Sequence, residues 1–463
     1  MKYISTRGQA PELTFKQALL VGLADDGGLY VPQTWPTFTP DEIAAFRGKP
    51  YAHVAFEVMR RFVDGEIPDP ALKAMIDEAY ATFHHPAVTP LVQIGANEWL
   101  LELFHGPTMA FKDVAMQILA RLMDYVLRQN DETLTIVGAT SGDTGGAALA
   151  AFGDRENIDI FFMFPQGRVS PVQQRQMTTL SSANTHAIAI DGSFDDCQNM
   201  VKAMFANHSF RDSVRLSAVN SINWGRIMAQ TVYYFTAAAS LGAPDRAVSF
   251  TVPTGNFGDI YAGYVARQMG LPVGRLVIAT NQNDILSRTL NSGRYEMQGV
   301  SPTITPSMDI QISSNFERLL FEACGRDCDV VRALMASLRQ SGGYDLPEQI
   351  QAFIKSGFDV GTATQAETIT MMNAVQAQNG YLLDPHSAVA LHVAHQHRSD
   401  EMPMVVLSTA HPAKFPATVK KATNVHPALP AWTGNLMKDT EHFTVLENEQ
   451  AAVEAFIQSK TDT

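Results

Sequence analysis

The sequence predicts an α/β protein with two open domains, each built on a mainly parallel sheet, preceded by an accessory N-terminal domain. Three observations carry this reading. From about residue 90, short apolar runs alternate with helix-length amphipathic stretches, the rhythm of βαβ units. Residues 1–88 lack that rhythm and show helical periodicity broken by turns such as Asp25-Asp26-Gly27-Gly28. The run Leu241-Gly242-Ala243-Pro244-Asp245-Arg246 interrupts the alternation once. The expected domains are therefore 1–88, 89–245 and 246–463.

The N-terminal domain contains an amphipathic helix over Pro70–Phe83, closed by His84-His85-Pro86. Expected strands follow at Trp99–Phe104, Leu134–Gly138, Ile158–Phe164, Thr185–Ile190, Ala247–Val252, Leu276–Thr280 and Pro403–Ser408. Helices are expected over Asp113–Leu127, Thr144–Phe152, Pro171–Leu180, Asp195–Asn207 and Trp224–Leu241, with a more helical segment from about 281 to 380. Ligands of open α/β sheets bind beyond the carboxyl ends of strands, so the loops leaving those strands are where chemistry is sought.

Bulk composition narrows the function. A chain of 463 residues, 46% hydrophobic and 17% charged, has the profile of a globular protein with large cores. A formal net charge of −13, with no basic stripe, speaks against nucleic acid as partner. It also requires any anionic substrate to find a locally positive pocket. The first residues hold no apolar signal region, and no apolar run reaches the roughly 18–20 residues of a membrane span. Cys197, Cys324 and Cys328 are too few for a disulfide framework, and the Cys324/Cys328 pair lacks further ligands for a metal. The expectation is a cytoplasmic protein with no metal, no nucleic-acid partner and no membrane; monomer and homodimer stay open.

Three loops offer chemistry. In Ala139-Thr140-Ser141-Gly142-Asp143-Thr144-Gly145-Gly146, two hydroxyls, a carboxylate and glycines sit where a helix begins, a natural seat for a carboxylate or phosphate. An ordinary turn capped by Asp143 or Thr144 would use the same residues. In Pro253-Thr254-Gly255-Asn256-Phe257-Gly258-Asp259, the glycine spacing fits neither the dinucleotide fingerprint nor a Walker A loop, leaving a turn suited to one small phosphate. In Phe104-His105-Gly106-Pro107-Thr108-Met109-Ala110-Phe111-Lys112-Asp113, a lysine among apolar neighbours can be desolvated enough to form a Schiff base, although a solvated first-turn lysine is the commoner fate.

Together these segments resemble pyridoxal-phosphate (PLP) enzymes of the tryptophan-synthase-β fold, and among them the threonine synthase family, bacterial and fungal branch. Similar motifs occur at Tyr3–Gly8, Asp26–Pro32, Asn220–Arg226 and Ser408–Phe415, so the resemblance spans residues 3–415. It implies a fold type II PLP enzyme converting O-phosphohomoserine and water into threonine and phosphate. Lys112 would carry the cofactor and shuttle protons; Gly255, Asn256, Phe257, Gly258 and Asp259 would hold the cofactor phosphate. Thr409 would face the pyridine nitrogen. Asp143 stands in the loop where related fold members often place an asparagine near the ring hydroxyl. For the substrate, the candidates are Thr140, Ser141 and Asn223, with Arg226 and Lys414 as cations for its phosphate. His411 could act in catalysis or serve a structural hydrogen bond. A serine/threonine dehydratase, another β-replacing enzyme of this fold, or a silent phospho-ligand-binding homologue would share many of these features.

Overall fold

The computed structural model describes residues 1–461. Two sheets organise it. The larger has six strands in the order Phe358–Thr362, Val273–Thr280, Val248–Pro253, Met404–Ser408, Glu98–Glu102 and Leu91–Gly95. All neighbours are parallel except the last pair, which is antiparallel. The smaller sheet runs Thr444–Leu446, Thr185–Ile190, Ile158–Pro165, Leu134–Ala139 and Leu216–Ser217, parallel throughout. Helices cover both faces, so the central strands are buried on both sides and read as continuous apolar runs; every residue of Met404–Ser408 is buried.

The expected helices fall in place with ends shifted by a few residues: Asp69–Tyr80, Lys112–Asn130, Asp143–Phe152, Pro171–Thr178, Phe194–Ala206 and Trp224–Ser240. The domain boundaries do not follow the sheets. Glu98–Glu102, expected in the middle domain, pairs in parallel with Met404–Ser408 in the large sheet. Thr444–Leu446, expected in the last domain, returns to Thr185–Ile190 in the small one. The small sheet is thus an excursion of the chain between strands of the large sheet, closed by the C-terminal segment and the helix Gln450–Thr461.

Residues 1–88 do not form a separate core. Tyr3–Ser5 pairs antiparallel with Tyr30–Pro32, and the rings of Tyr3 and Phe62 pack 6.0 and 5.5 Å from that of Trp224. Arg7 pairs with Glu317 at 2.9 Å, while the fully buried guanidinium of Arg318 donates to the carbonyls of Tyr30 and Ile222. This region therefore buttresses Trp224–Ser240, the helix that carries Arg226. Among the described residues no helix is long and apolar enough to cross a membrane, and no cluster of three or more His, Cys, Asp or Glu could hold a metal.

Candidate active site

The carboxyl ends of Glu98–Glu102, Val248–Pro253 and Met404–Ser408 open onto one side of the large sheet, and that of Leu134–Ala139 faces it from the small sheet. Between them lies a cavity of about 530 Å³ lined by Lys112, Thr140, Ser141, Asp143, Lys202, Arg226, residues 253–260, His386 and Thr409, among others.

The Lys112 loop is folded back on itself. Asp113 accepts from the Thr108 amide at 2.8 Å and its hydroxyl at 2.6 Å. A Cβ at Gly106 would lie 2.5 Å from that of Asp113, so the turn needs glycine there. The Phe111 amide donates to the Thr409 carbonyl at 2.8 Å, and the His411 amide to the Met109 carbonyl at 3.0 Å. Lys112 and Thr409, distant in sequence, are thereby registered against each other.

Lys112 opens its helix and is buried. Burial lowers its ammonium pKa, and the charges of Arg226 and Lys414 add to that; Asp143, 3.8 Å away, opposes it. A lysine so placed gives up its proton more readily than a solvated one, which favours its use as an amine nucleophile.

Asp143 is buried too. Burial alone would raise its carboxyl, but Lys414 at 3.1 Å, Lys112 and the amide of Gln173 at 2.8 Å outweigh it and hold the acid far below the usual carboxylate range. An ordinary capped turn would use Asp143 or Thr144 as the cap. The cap is Gly142 at φ 143°, where a Cβ would meet the Gln173 side chain at 2.5 Å. Thr140 ties the turn by accepting from the Gly142 and Gly145 amides at 2.9 and 3.0 Å, so its hydroxyl keeps only its own proton to donate.

The Gly255–Asp259 turn is pinned from outside. The Gly255 carbonyl accepts from Ser313, and that of Asn256 from Asn315. Phe257 adopts the left-handed φ of 63°, and a Cβ on Gly255 would lie 2.7 Å from the Ser307 carbonyl. Among the described residues none of the amides of Gly255, Asn256, Phe257, Gly258 and Asp259 has an acceptor. Five free N–H groups at the start of an 11-residue helix are arranged to receive an anion. Asp259 accepts from the hydroxyls of Tyr233 and Tyr234, leaving Oδ2 without a partner. Burial pushes its carboxyl up to about 7, against those hydrogen bonds and the charge of Lys112.

Two expected substrate residues are not on the cavity wall. Asn223 is 1% exposed; its oxygen caps Trp224–Ser240 through the Gly225 amide, and its nitrogen donates to the Leu19 carbonyl. Lys414 has no exposure and sits behind Asp143, its ammonium also donating to the Thr108 carbonyl and Gln176, both at 2.6 Å. With its three protons engaged, it supports the site and has none left for a substrate. His411 caps a short turn by accepting from the Ala413 amide, and burial drives its pKa down to about 4. Arg226 does face the cavity. It is 3% exposed, no carboxylate lies in ion-pair range among the described residues, and its Nε has no partner. Sequence reasoning missed Lys202 and His386. Lys202 follows Phe194 and Gln198 at intervals of four on one helix, and all three line the cavity.

The chain is similar to known proteins along its length. A family model described as the threonine synthase N terminus matches residues 2–80, one for pyridoxal-phosphate-dependent enzymes matches 83–337, and one for the threonine synthase C-terminal region matches 387–457. The chain is 53% identical to a threonine synthase of Pseudomonas aeruginosa, over 99% of this chain and 98% of that one. It is 41% identical to that of Saccharomyces cerevisiae, over 91% and 88%. A crystal structure of PLP-bound threonine synthase from Brucella melitensis superposes with a TM-score of 0.99 at 63% identity, covering all of both chains. The yeast threonine synthase structure gives 0.95 at 37%, covering 100% of this chain and 99% of the other. The chain belongs to the threonine synthase family of pyridoxal-phosphate-dependent enzymes.

Proposed function

We propose that the chain converts O-phosphohomoserine and water into L-threonine and inorganic phosphate, with PLP attached through Lys112. The observation that carries this is the facing of a desolvated lysine, a seat of free amides and an unpaired buried arginine across one cavity. The residues fit the cofactor: the Gly255–Asp259 amides take its phosphate, Lys112 its aldehyde carbon, and the Thr409 hydroxyl its pyridine nitrogen. A hydroxyl there, in place of a carboxylate, does not hold a proton on that nitrogen by charge. Bound PLP supplies an electron sink for negative charge developed on the substrate.

Lys112 is the proton carrier: its amine, once free of the cofactor, takes the proton of the substrate Cα in a desolvated setting. Loss of a second proton, from Cβ, lets the γ-phosphate leave carbon with the C–O electron pair. A proton then returns to Cγ, water adds at Cβ, and a proton returns to Cα. Expulsion of a dianion needs fixed positive charge at the leaving oxygens. Arg226 supplies it from the cavity wall, and Lys202 extends it from the small-sheet side. The amides of Ser141, Asp143 and Thr144 have no acceptor among the described residues, and with the Thr140 hydroxyl they receive the substrate carboxylate.

The test is to incubate purified protein, PLP and O-phosphohomoserine and to follow both products. Threonine and phosphate in equal amounts, lost in Lys112→Ala, support the reading. Deamination of serine or threonine with O-phosphohomoserine untouched would instead make it a dehydratase.

A further inference from the structure

His386 opens the helix Pro385–His397 with a side chain only 5% exposed, on the cavity wall beside Thr409. Its Nδ1 lies 3.0 Å from Oδ1 of Asp384, which is wholly buried and also accepts from the His386 amide at 2.9 Å. The Phe415 ring packs against the imidazole at 5.1 Å. The other nitrogen, Nε2, is buried without a hydrogen-bond partner. A buried imidazole bonded at one nitrogen and bare at the other is costly unless a ligand completes it.

Its place relative to Lys112 names that ligand atom. Asp143 Oδ2 lies 3.8 Å from Lys112 Nζ and feels the charge of His386, and both residues line the cavity that the Gly255–Asp259 seat also lines. Asp143 and His386 thus form one part of the wall around Lys112, and the Gly255–Asp259 loop forms another. In PLP the phosphate arm and the ring hydroxyl flank the carbon that a lysine attacks. With the phosphate at Gly255–Asp259, the ring hydroxyl points toward Asp143 and His386. Asp143, held ionised by Lys414, offers only acceptor atoms, so it cannot donate to a ring oxygen that has lost its proton. Nε2 serves either state: it accepts from a protonated hydroxyl, or donates as imidazolium to the oxyanion.

We propose that His386, oriented by Asp384, binds the ring hydroxyl of PLP through Nε2 and shares a proton with it. The inference rests on the cofactor reading above, and its test needs no turnover. Cofactor-free protein is titrated with PLP and with 3-deoxypyridoxal phosphate, following the visible or near-ultraviolet band and protein fluorescence. Loss of the ring hydroxyl should weaken wild-type binding about tenfold or more, on the scale of a hydrogen bond with charged character. His386→Ala should bind the two within about twofold, with a shifted PLP band, and His386→Gln, which keeps a polar atom near Nε2, should fall between. A His386→Ala or His386→Gln protein that discriminates as wild type does, with an unshifted band, overturns the assignment. Wild type binding both ligands equally overturns it as well, whereas wild type binding neither overturns the cofactor reading itself.

Discussion

Replacing Lys414 by methionine tests whether this buried lysine supports the site from behind or binds the substrate. The change removes an ion pair at 3.1 Å and two hydrogen bonds at 2.6 Å from a residue with no exposure, and leaves Asp143 buried beside Lys112. Breaking a buried pair from one side destabilises by about 3–5 kcal/mol, because the stranded charge keeps its desolvation penalty. The Thr108 carbonyl and Gln176 also lose a charged donor, though such terms do not add simply. Urea unfolding of the cofactor-free protein should therefore show a loss of about 3 kcal/mol or more, and PLP affinity should fall because the Lys112 loop hangs on Thr108. Lys414→Met combined with Asp143→Asn should recover a large part of the stability. A single variant within about 1 kcal/mol of wild type, with only its use of phosphorylated substrate impaired, would refute the structural role and restore Lys414 as the substrate cation.

Other consequences are as specific. Asp259 has its carboxyl raised from 3.8 to about 7 by burial, so between those values the folded chain holds a proton that the unfolded chain releases, and stability falls as pH rises through that window. Asp259→Asn, which keeps an acceptor for the two tyrosines, should match wild type near pH 4 and gain on it up to about pH 7, levelling off beyond; thermal melts across pH check this, and a parallel pair of curves would contradict it. Gly255→Ala places a methyl 2.7 Å from the Ser307 carbonyl and should weaken PLP binding while leaving the fold intact, as a cofactor titration and a circular dichroism spectrum would show. Arg226→Met should lower kcat/KM for O-phosphohomoserine by roughly 10²-fold and blunt inhibition by inorganic phosphate, with the cofactor band unchanged.

Much of the scaffold was readable in the sequence because buried parallel strands are short apolar runs whose ends are set by turn residues; Thr185–Ile190 is located to the residue. Which strands share a sheet is another matter. The pairing of Glu98–Glu102 with Met404–Ser408 joins segments some 300 residues apart, and periodicity carries no trace of it. The three-residue strand Thr444–Leu446 is too short to alternate at all. The same limit governs the site. Lys112, Thr409 and the Gly255–Asp259 turn stand at strand ends and helix starts, where position implies exposure to a ligand. Asn223 and Lys414 lie in equally suggestive motifs, but side-chain direction decides their roles, and both turn inward. His386 was hidden by its setting: Asp384-Pro385-His386-Ser387 reads as a capped helix start, which it also is.

The most direct test of the proposed reaction follows isotope through both products. Turnover of O-phosphohomoserine in water enriched in oxygen-18 separates replacement at carbon from simple phosphate hydrolysis. If water adds at Cβ while the γ-phosphate departs with its bridging oxygen, the label enters the threonine hydroxyl and the phosphate carries none. Mass spectra of the two products read this directly. Labelled phosphate accompanied by homoserine would show attack at phosphorus, and would contradict the role given to Lys112 and the cavity around it.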